Sequence, residues 1–256
     1  MMICCALCSL PAFSANRNID SLLAVIDTAT GINKAEACLK ACNYYYRNNN
    51  DEALRHARTA LEISEKIKYR EGVKRAWYEL GVAYDHRGVF DTALVFLNLA
   101  MEYGMQDKDS LFIAQVHINK GNIFYYQGNY DSTLFCYIEA SRLFEVLGNR
   151  RGEANSYLGQ GNVFYQQGMY DKAVKYFKDA LKIYHELKDE VLISYALNNI
   201  GTAYYVQGDL QTATGYFIKS IEIKRKLRDQ FGEAYTLNNL GDIYFEQSLY
   251  SLALDY

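Results

Sequence analysis

Glycine recurs at positions 81, 121, 161, 201 and 241, forty residues apart each time, inside stretches that otherwise read as helices. The stretches are "YELGVAYDHRGVFDTA", "INKGNIFYYQGNYDST", "LGQGNVFYQQGMYDKA", "ALNNIGTAYYVQGDLQTA" and "LNNLGDIYFEQSLYSLA", and Ala41 fills the slot one period earlier. A mid-helix glycine costs about 1 kcal/mol relative to alanine, so its repetition means that packing demands a residue without a side chain. A constant period of this length is the mark of stacked supersecondary units, which fixes the fold before any other feature does.

One unit is legible from Arg151 to Leu187. Tyr157, Gly161, Phe164 and Tyr165 fall three and four apart, on one helical face. Gly168 supplies a left-handed residue to end that helix, and Asp171 is expected to cap the next. Gly88 with Asp91 and Gly128 with Asp131 repeat the arrangement, and the aromatics before those acids (Phe90, Tyr130, Tyr170, Tyr250) read as hydrophobic staples. The second helix carries Ala173, Phe177 and Ala180 on one stripe, and Asn149, Asp189 and Asp229 read as caps of the following first helices. Each unit is therefore a helix hairpin in which Gly161 is expected to face Ala173 and Ala180. Neighbouring hairpins must cover the rest of its apolar surface.

Across 256 residues the net charge is only −3. A nucleic-acid partner calls for a basic face, which this balance does not offer. The most basic run, Lys219 to Asp229, spreads its charges around a helix as a solvated surface would. The first fifteen residues, "MMICCALCSLPAFSA", stand apart. They hold an apolar run, the sole proline, three of the six cysteines, and small residues at Ser14 and Ala15. This resembles the core and cleavage end of a secretory signal peptide, too short to span a bilayer, although no Lys or Arg precedes the run. The domain reading is a signal peptide over 1–15, a helical lead-in over 16–32, and about six repeats over 33–256, the last cut off at Tyr256. Export to the periplasm or cell envelope follows from that leader, and an uncleaved tail on a cytoplasmic protein is the alternative. Cys38, Cys42 and Cys136 read as buried small hydrophobes.

The signature Trp77, Leu80, Gly81, Tyr84, Ala93, Leu97, Ala100 resembles that of the tetratricopeptide repeat, with leucine in place of its phenylalanine. Gly161, Phe164, Ala173, Phe177, Ala180 and Gly201, Tyr204, Ala213, Phe217, Ser220 match it again. The usual closing proline is missing, and the period is forty rather than about thirty-four. This variant is similar to the arrays of bacterial sensor kinases and regulators, of spindle scaffolds and of kinesin light chains. The resemblance covers about Lys34 to Tyr256. It implies an all-α, right-handed tetratricopeptide superhelix, an α-solenoid serving as a scaffold or sensory module, with a membrane-anchored continuation beyond Tyr256 as one way such a regulator is built.

No catalytic constellation emerges, and no cofactor or metal site is expected. The four histidines fall at different repeat phases, with His117 at the phase of Trp77, and HExxH, a phosphate-binding glycine loop, CxxC and GxSxG are all absent. Most of the 24 tyrosines fall at packing phases such as Tyr84, Tyr176 and Tyr204.

The resemblance also places the binding surface. In the family, the first helix of each hairpin lines a concave groove, with its exposed stripe three before the signature glycine and one, four and five after it. Here that stripe is Ile118, Asn122, Tyr125 and Tyr126; Leu158, Asn162, Tyr165 and Gln166; Asn198, Thr202, Tyr205 and Val206; and Asn238, Asp242, Phe245 and Glu246. A carboxamide both donates and accepts. Asn122, Asn162, Asn198 and Asn238 therefore suit the backbone of an extended peptide or protein segment, with the tyrosines gripping its side chains. The competing reading is that these asparagines bond to neighbouring helices and stiffen the array.

Overall fold

The structure, a computed structural model, describes residues 15–46 and 48–255. The expected leader lies outside these residues except for Ala15, which opens the first helix. Thirteen helices and no strand occur among the described residues. After α1 (Ala15–Thr28) come α2 (Gly31–Tyr45), α3 (Asn50–Lys66), α4 (Arg70–His86), α5 (Phe90–Asp107) and α6 (Ser110–Tyr126). Next is α7 (Tyr130–Val146), within which the chain divides into two compact units, one ending at Cys136 and one starting at Tyr137. The second unit continues with α8 (Arg150–Gln166), α9 (Tyr170–Glu186), α10 (Glu190–Val206), α11 (Leu210–Leu227), α12 (Gln230–Glu246) and α13 (Tyr250–Asp255).

Consecutive helices pack as hairpins in each unit: α2 on α3 and α4 on α5 in the first, α8 on α9 and α10 on α11 in the second. First helices also touch the next first helix, α2 with α4, α4 with α6, and α10 with α12.

The turns explain why the hairpins recur. Gly88, Gly128, Gly168 and Gly208 take φ of 72°, 73°, 73° and 82° between first and second helices, where a side chain is strained. The return turns use the same left-handed backbone but mostly without glycine: Lys68, Lys108, Lys188 and Arg228 have φ of 55–57°, and Gly148 takes the remaining position in that series. The sequence pattern did not reveal these lysines, because nothing about lysine announces positive φ. Caps at the first helices follow the reading. Asn149, Asp189 and Asp229 accept from the backbone N–H of Gly152, Leu192 and Gly232 at 3.0, 3.1 and 2.9 Å.

The second-helix caps differ from expectation. Asp91, Asp131 and Asp171 sit in the first turn, because the helices begin one residue earlier at Phe90, Tyr130 and Tyr170. There the carboxylates face the positive end of the helix dipole. Asp171 also accepts from Gln207 Nε2 at 2.7 Å, as Asp51 does from Arg87 at 2.6 Å, so each ties its helix to the next repeat.

Gly81, Gly161 and Gly201 mark close approach, but at Gly161 and Gly201 the space is taken by an aromatic ring rather than by the alanines. A Cβ at Gly161 would lie 2.5 Å from Cδ1 and Cε1 of Phe177, and one at Gly201 would lie 2.7 Å from Cε1 of Phe217. Both rings are fully buried. Leu97 plays the same part against Gly81. Beside them, aromatic pairs close three of the hairpins: Tyr84 on Phe96, Phe164 on Tyr176 and Tyr204 on Tyr216, all stacked at 5.2–5.8 Å. Cys38, Cys42 and Cys136 are buried free thiols, as read from the sequence.

Candidate interaction surface

The sixteen stripe positions divide sharply by burial. In the second unit, Asn198 and Thr202 are only 2% and 3% exposed, and Leu158 and Asn162 are buried as well. These four are therefore not an exposed face, and the reason at Asn198 is visible. Its Oδ1 accepts from Thr236 Oγ1 at 3.1 Å and from Asn239 Nδ2 at 3.4 Å, both on the next first helix. Thr236 Oγ1 in turn accepts from Nζ of the buried Lys224 at 2.7 Å, and that ammonium lies 5.1 Å from the ring centre of Tyr195. Asn198 thus belongs to a buried polar chain linking α10, α11 and α12, the stiffening role weighed above. Asn162 Oδ1 is buried without a hydrogen-bond partner.

The solvent-facing part of the stripe lies elsewhere. Gln166, Val206, Asn238, Asp242, Phe245 and Glu246 are exposed in the second unit, and Tyr126 is exposed in the first. Tyr125, Tyr165 and Tyr205 are half-buried. Tyr125 and Tyr165 each lean on the aromatic that opens the following second helix, Tyr130 at 6.1 Å and Tyr170 at 5.5 Å, and Phe245 does the same with Tyr250 at 5.5 Å. Tyr126 stacks parallel to Phe90 at 6.2 Å, and Asn122 beside it is half-buried. The Tyr205 hydroxyl donates to Glu246 Oε1 at 2.6 Å. Burial, then that hydrogen bond and the charges of Glu246 and Asp242, push the phenol up to about 12. The aromatics that open the second helices thus pack against Tyr125, Tyr165 and Phe245, a coupling legible only once both helices are known.

One feature of this face escaped the sequence pattern. Two positions before the signature glycine stand Glu79, Asn119, Gly159, Asn199 and Asn239. Asn119 Nδ2 donates to Tyr78 Oη at 2.8 Å and Asn239 Nδ2 to Asn198, so in these two repeats the side chain reaches back to the position three before the glycine of the preceding repeat, whereas Asn199 Nδ2 is buried without a hydrogen-bond partner. The rung from Glu79 would end on Cys38, a weakly hydrogen-bonding thiol. Glu79 Oε2 is buried without a hydrogen-bond partner, and burial pushes its carboxyl up to about 8. Glu79 lines a pocket of about 240 Å³ between α4 and α6, together with Glu71, Arg75, Tyr78, Asp109, Leu111, Phe112 and Gln115. Farther along α4, burial raises Asp85 to about 6. On the second helix α3, a pocket of about 310 Å³ holds Arg55, Arg58 and Arg87, bonded to Glu52, Tyr84 and Asp51.

Tetratricopeptide-repeat family models match residues 38–101, 112–186 and 192–256. The chain belongs to the tetratricopeptide-repeat family. No curated protein matches it in sequence. Among solved structures it is similar to BtubC (BKLC) from P. vanneervenii, with TM-score 0.70 and 20% identity over 84% of this chain and 90% of that one. It is also similar to a signal-transduction ATPase with a tetratricopeptide repeat sensor, PH0952 from Pyrococcus horikoshii, with TM-score 0.76 and 20% identity. That match covers 91% of this chain but 36% of the ATPase. A Rap protein in complex with Competence and Sporulation Factor gives TM-score 0.66 and 19% identity over 93% of this chain and 72% of that one. At these identities the likeness establishes the fold. This tetratricopeptide-repeat protein has no cluster of three or more metal-ligating side chains, and no helix long and apolar enough to cross a membrane, among its described residues.

Proposed function

We propose that this tetratricopeptide-repeat protein is a non-catalytic protein- or peptide-binding module that captures partner segments on its first-helix faces and acts as the sensory or scaffolding part of an exported regulator. The observation that carries this reading is the exposed portion of the stripe: Tyr126 in the first unit, and Asn238, Asp242, Phe245 and Glu246 in the second, are large or polar and solvent-facing. Exposed aromatics beside hydrogen-bonding groups are what an interaction surface needs. The complex of a similarly folded protein, NprR, with its cognate peptide NprX supports a polypeptide ligand as the class.

Photo-crosslinking tests it. A benzophenone amino acid placed at Tyr126 or Phe245 is expected to yield polypeptide adducts in cells, and the same group at Lys182 on second helix α9 is expected to yield none. Adducts only from α9 contradict the assignment. The envelope placement rests on the leader segment, and a mature N-terminus near Ala15 or Asn16 in the envelope fraction supports it, whereas an intact Met1 in the cytosol overturns it.

A further inference from the structure

The pocket between α4 and α6 has a polar interior and an asymmetric charge. Glu71, Leu111 and Gln115 are exposed at its mouth, and Glu79, 5% exposed, lies deepest. Its acids are Glu71, Glu79 and Asp109, and its one base is Arg75. Arg75 is already neutralised, since its Nη1 donates to both carboxylate oxygens of Glu36 on α2, at 2.9 and 2.8 Å. Buried Lys74 beside the pocket is shared between Glu71 and Asp109, at 2.7 and 2.8 Å. Glu79 alone has no counter-charge, and Oε2 has no hydrogen-bond partner although the atom is buried. Buried polar groups are normally paired. Two aromatic side chains, Tyr78 and Phe112, tilted at 55° with centres 5.5 Å apart, complete the lining, and the Lys74 ammonium already lies 4.9 Å from the Phe112 ring centre.

We propose that this pocket is a subsite for the guanidinium group of an arginine side chain on a partner segment, with the Glu79 carboxylate accepting from it. A guanidinium is planar and carries five N–H donors, so it can pair with a carboxylate while lying against an aromatic ring such as Tyr78. A lysine ammonium satisfies the charge but not the flat, aromatic lining. The proposal rests on the first-helix face being a polypeptide-binding surface and names one side chain that this surface selects.

Proton linkage follows. Burial alone raises the Glu79 carboxyl, with no charged group on α2, α3, α5 or α6 contributing. The Cys42 thiol on α2 feels its charge, being pushed up by burial first and by Glu79 second. Near neutral pH Glu79 therefore carries its proton, and an entering guanidinium must expel it. Binding of the cation then releases close to one proton and strengthens as pH rises toward 8.

The test uses the full chain and three small probes: N-acetyl-arginine amide, N-acetyl-lysine amide and the uncharged N-acetyl-citrulline amide. Calorimetric titration at pH 7 in two buffers of different ionisation enthalpy is expected to show millimolar binding of the arginine probe with proton release. The lysine probe should bind at least about 5-fold more weakly, and the citrulline probe not at all up to about 10 mM. Glu79→Gln, checked for folding by circular dichroism, should lose both the proton release and about 10-fold in affinity, while Glu222→Gln in the other unit changes neither. Equal binding of citrulline or lysine, binding without proton release, or an unaffected Glu79→Gln variant overturns the subsite. If no probe binds while crosslinking still succeeds at Tyr126 and Phe245, the subsite fails and the interaction surface stands.

Discussion

The ring of Phe177 occupies the space that any side chain at Gly161 would need, with two ring carbons 2.5 Å from the position of its Cβ. The ring is fully buried in the core formed by α8, α9 and α10 and cannot swing into solvent. Gly161→Ala is therefore expected to destabilise the fold by about 1–3 kcal/mol in urea unfolding, despite the better helix propensity of alanine. Gly241 is the internal control. Its nearest atom, the Ala253 carbonyl oxygen, is 3.5 Å from a Cβ there, so Gly241→Ala should be neutral or stabilising by up to about 1 kcal/mol. Equal destabilisation by the two substitutions contradicts the close-approach account of the repeat.

The left-handed lysines give a second test. Lys188 has φ of 56° at a turn where the equivalent residue one repeat earlier is Gly148, with φ of 66°. Lys188→Gly should raise stability by about 0.5–1 kcal/mol, because glycine takes this conformation without the Cβ penalty. Chemical denaturation of the single variant checks the sign.

Stability should fall as pH rises through the range set by the buried acids. Glu79 is raised from 4.5 to about 8 and Asp85 from 3.8 to about 6. In each case the folded state holds a proton that the unfolded chain gives up, so the contribution is fully present below the unfolded pKa and is lost by the folded one. Two decline windows follow, about 4 to 6 from Asp85 and about 4.5 to 8 from Glu79. Glu79→Gln should remove the latter and make the protein more stable than wild type at pH 8. Unfolding free energies measured from pH 4 to pH 9 on both proteins decide it.

Asn198 and Asn238 share a repeat phase but not a fate. Asn198→Ala leaves the buried Asn239 amide without its acceptor and should cost about 1–3 kcal/mol, whereas Asn238→Ala, at an exposed position, should stay within about 0.5 kcal/mol. Thermal melts of the two single variants compare them directly.

The same pair marks how much was legible in the sequence. The forty-residue phase sufficed for the hairpins, the first-helix caps and the stacked tyrosines, because each depends on residues within one repeat. Burial of Asn198 depends on Thr236 and Asn239 one repeat later, and a single-repeat pattern holds no such information. Glu79 escaped for the same reason. It is conspicuous only against Asn119, Asn199 and Asn239 at its phase, and its isolation follows from Cys38 in the preceding repeat. The aromatic staples were placed one residue off because Phe90, Tyr130 and Tyr170 begin their helices instead of preceding the caps.

The central claim is that the exposed first-helix stripe binds polypeptide partners, and affinity for a partner recovered by crosslinking tests it most directly. Tyr126→Ala and Phe245→Ala, at residues 61% and 64% exposed, should each weaken binding by about 1–3 kcal/mol and leave the melting temperature nearly unchanged. Lys182→Ala on α9 should change neither quantity. Unchanged affinity in both aromatic variants, with a loss on Lys182→Ala, would contradict the account.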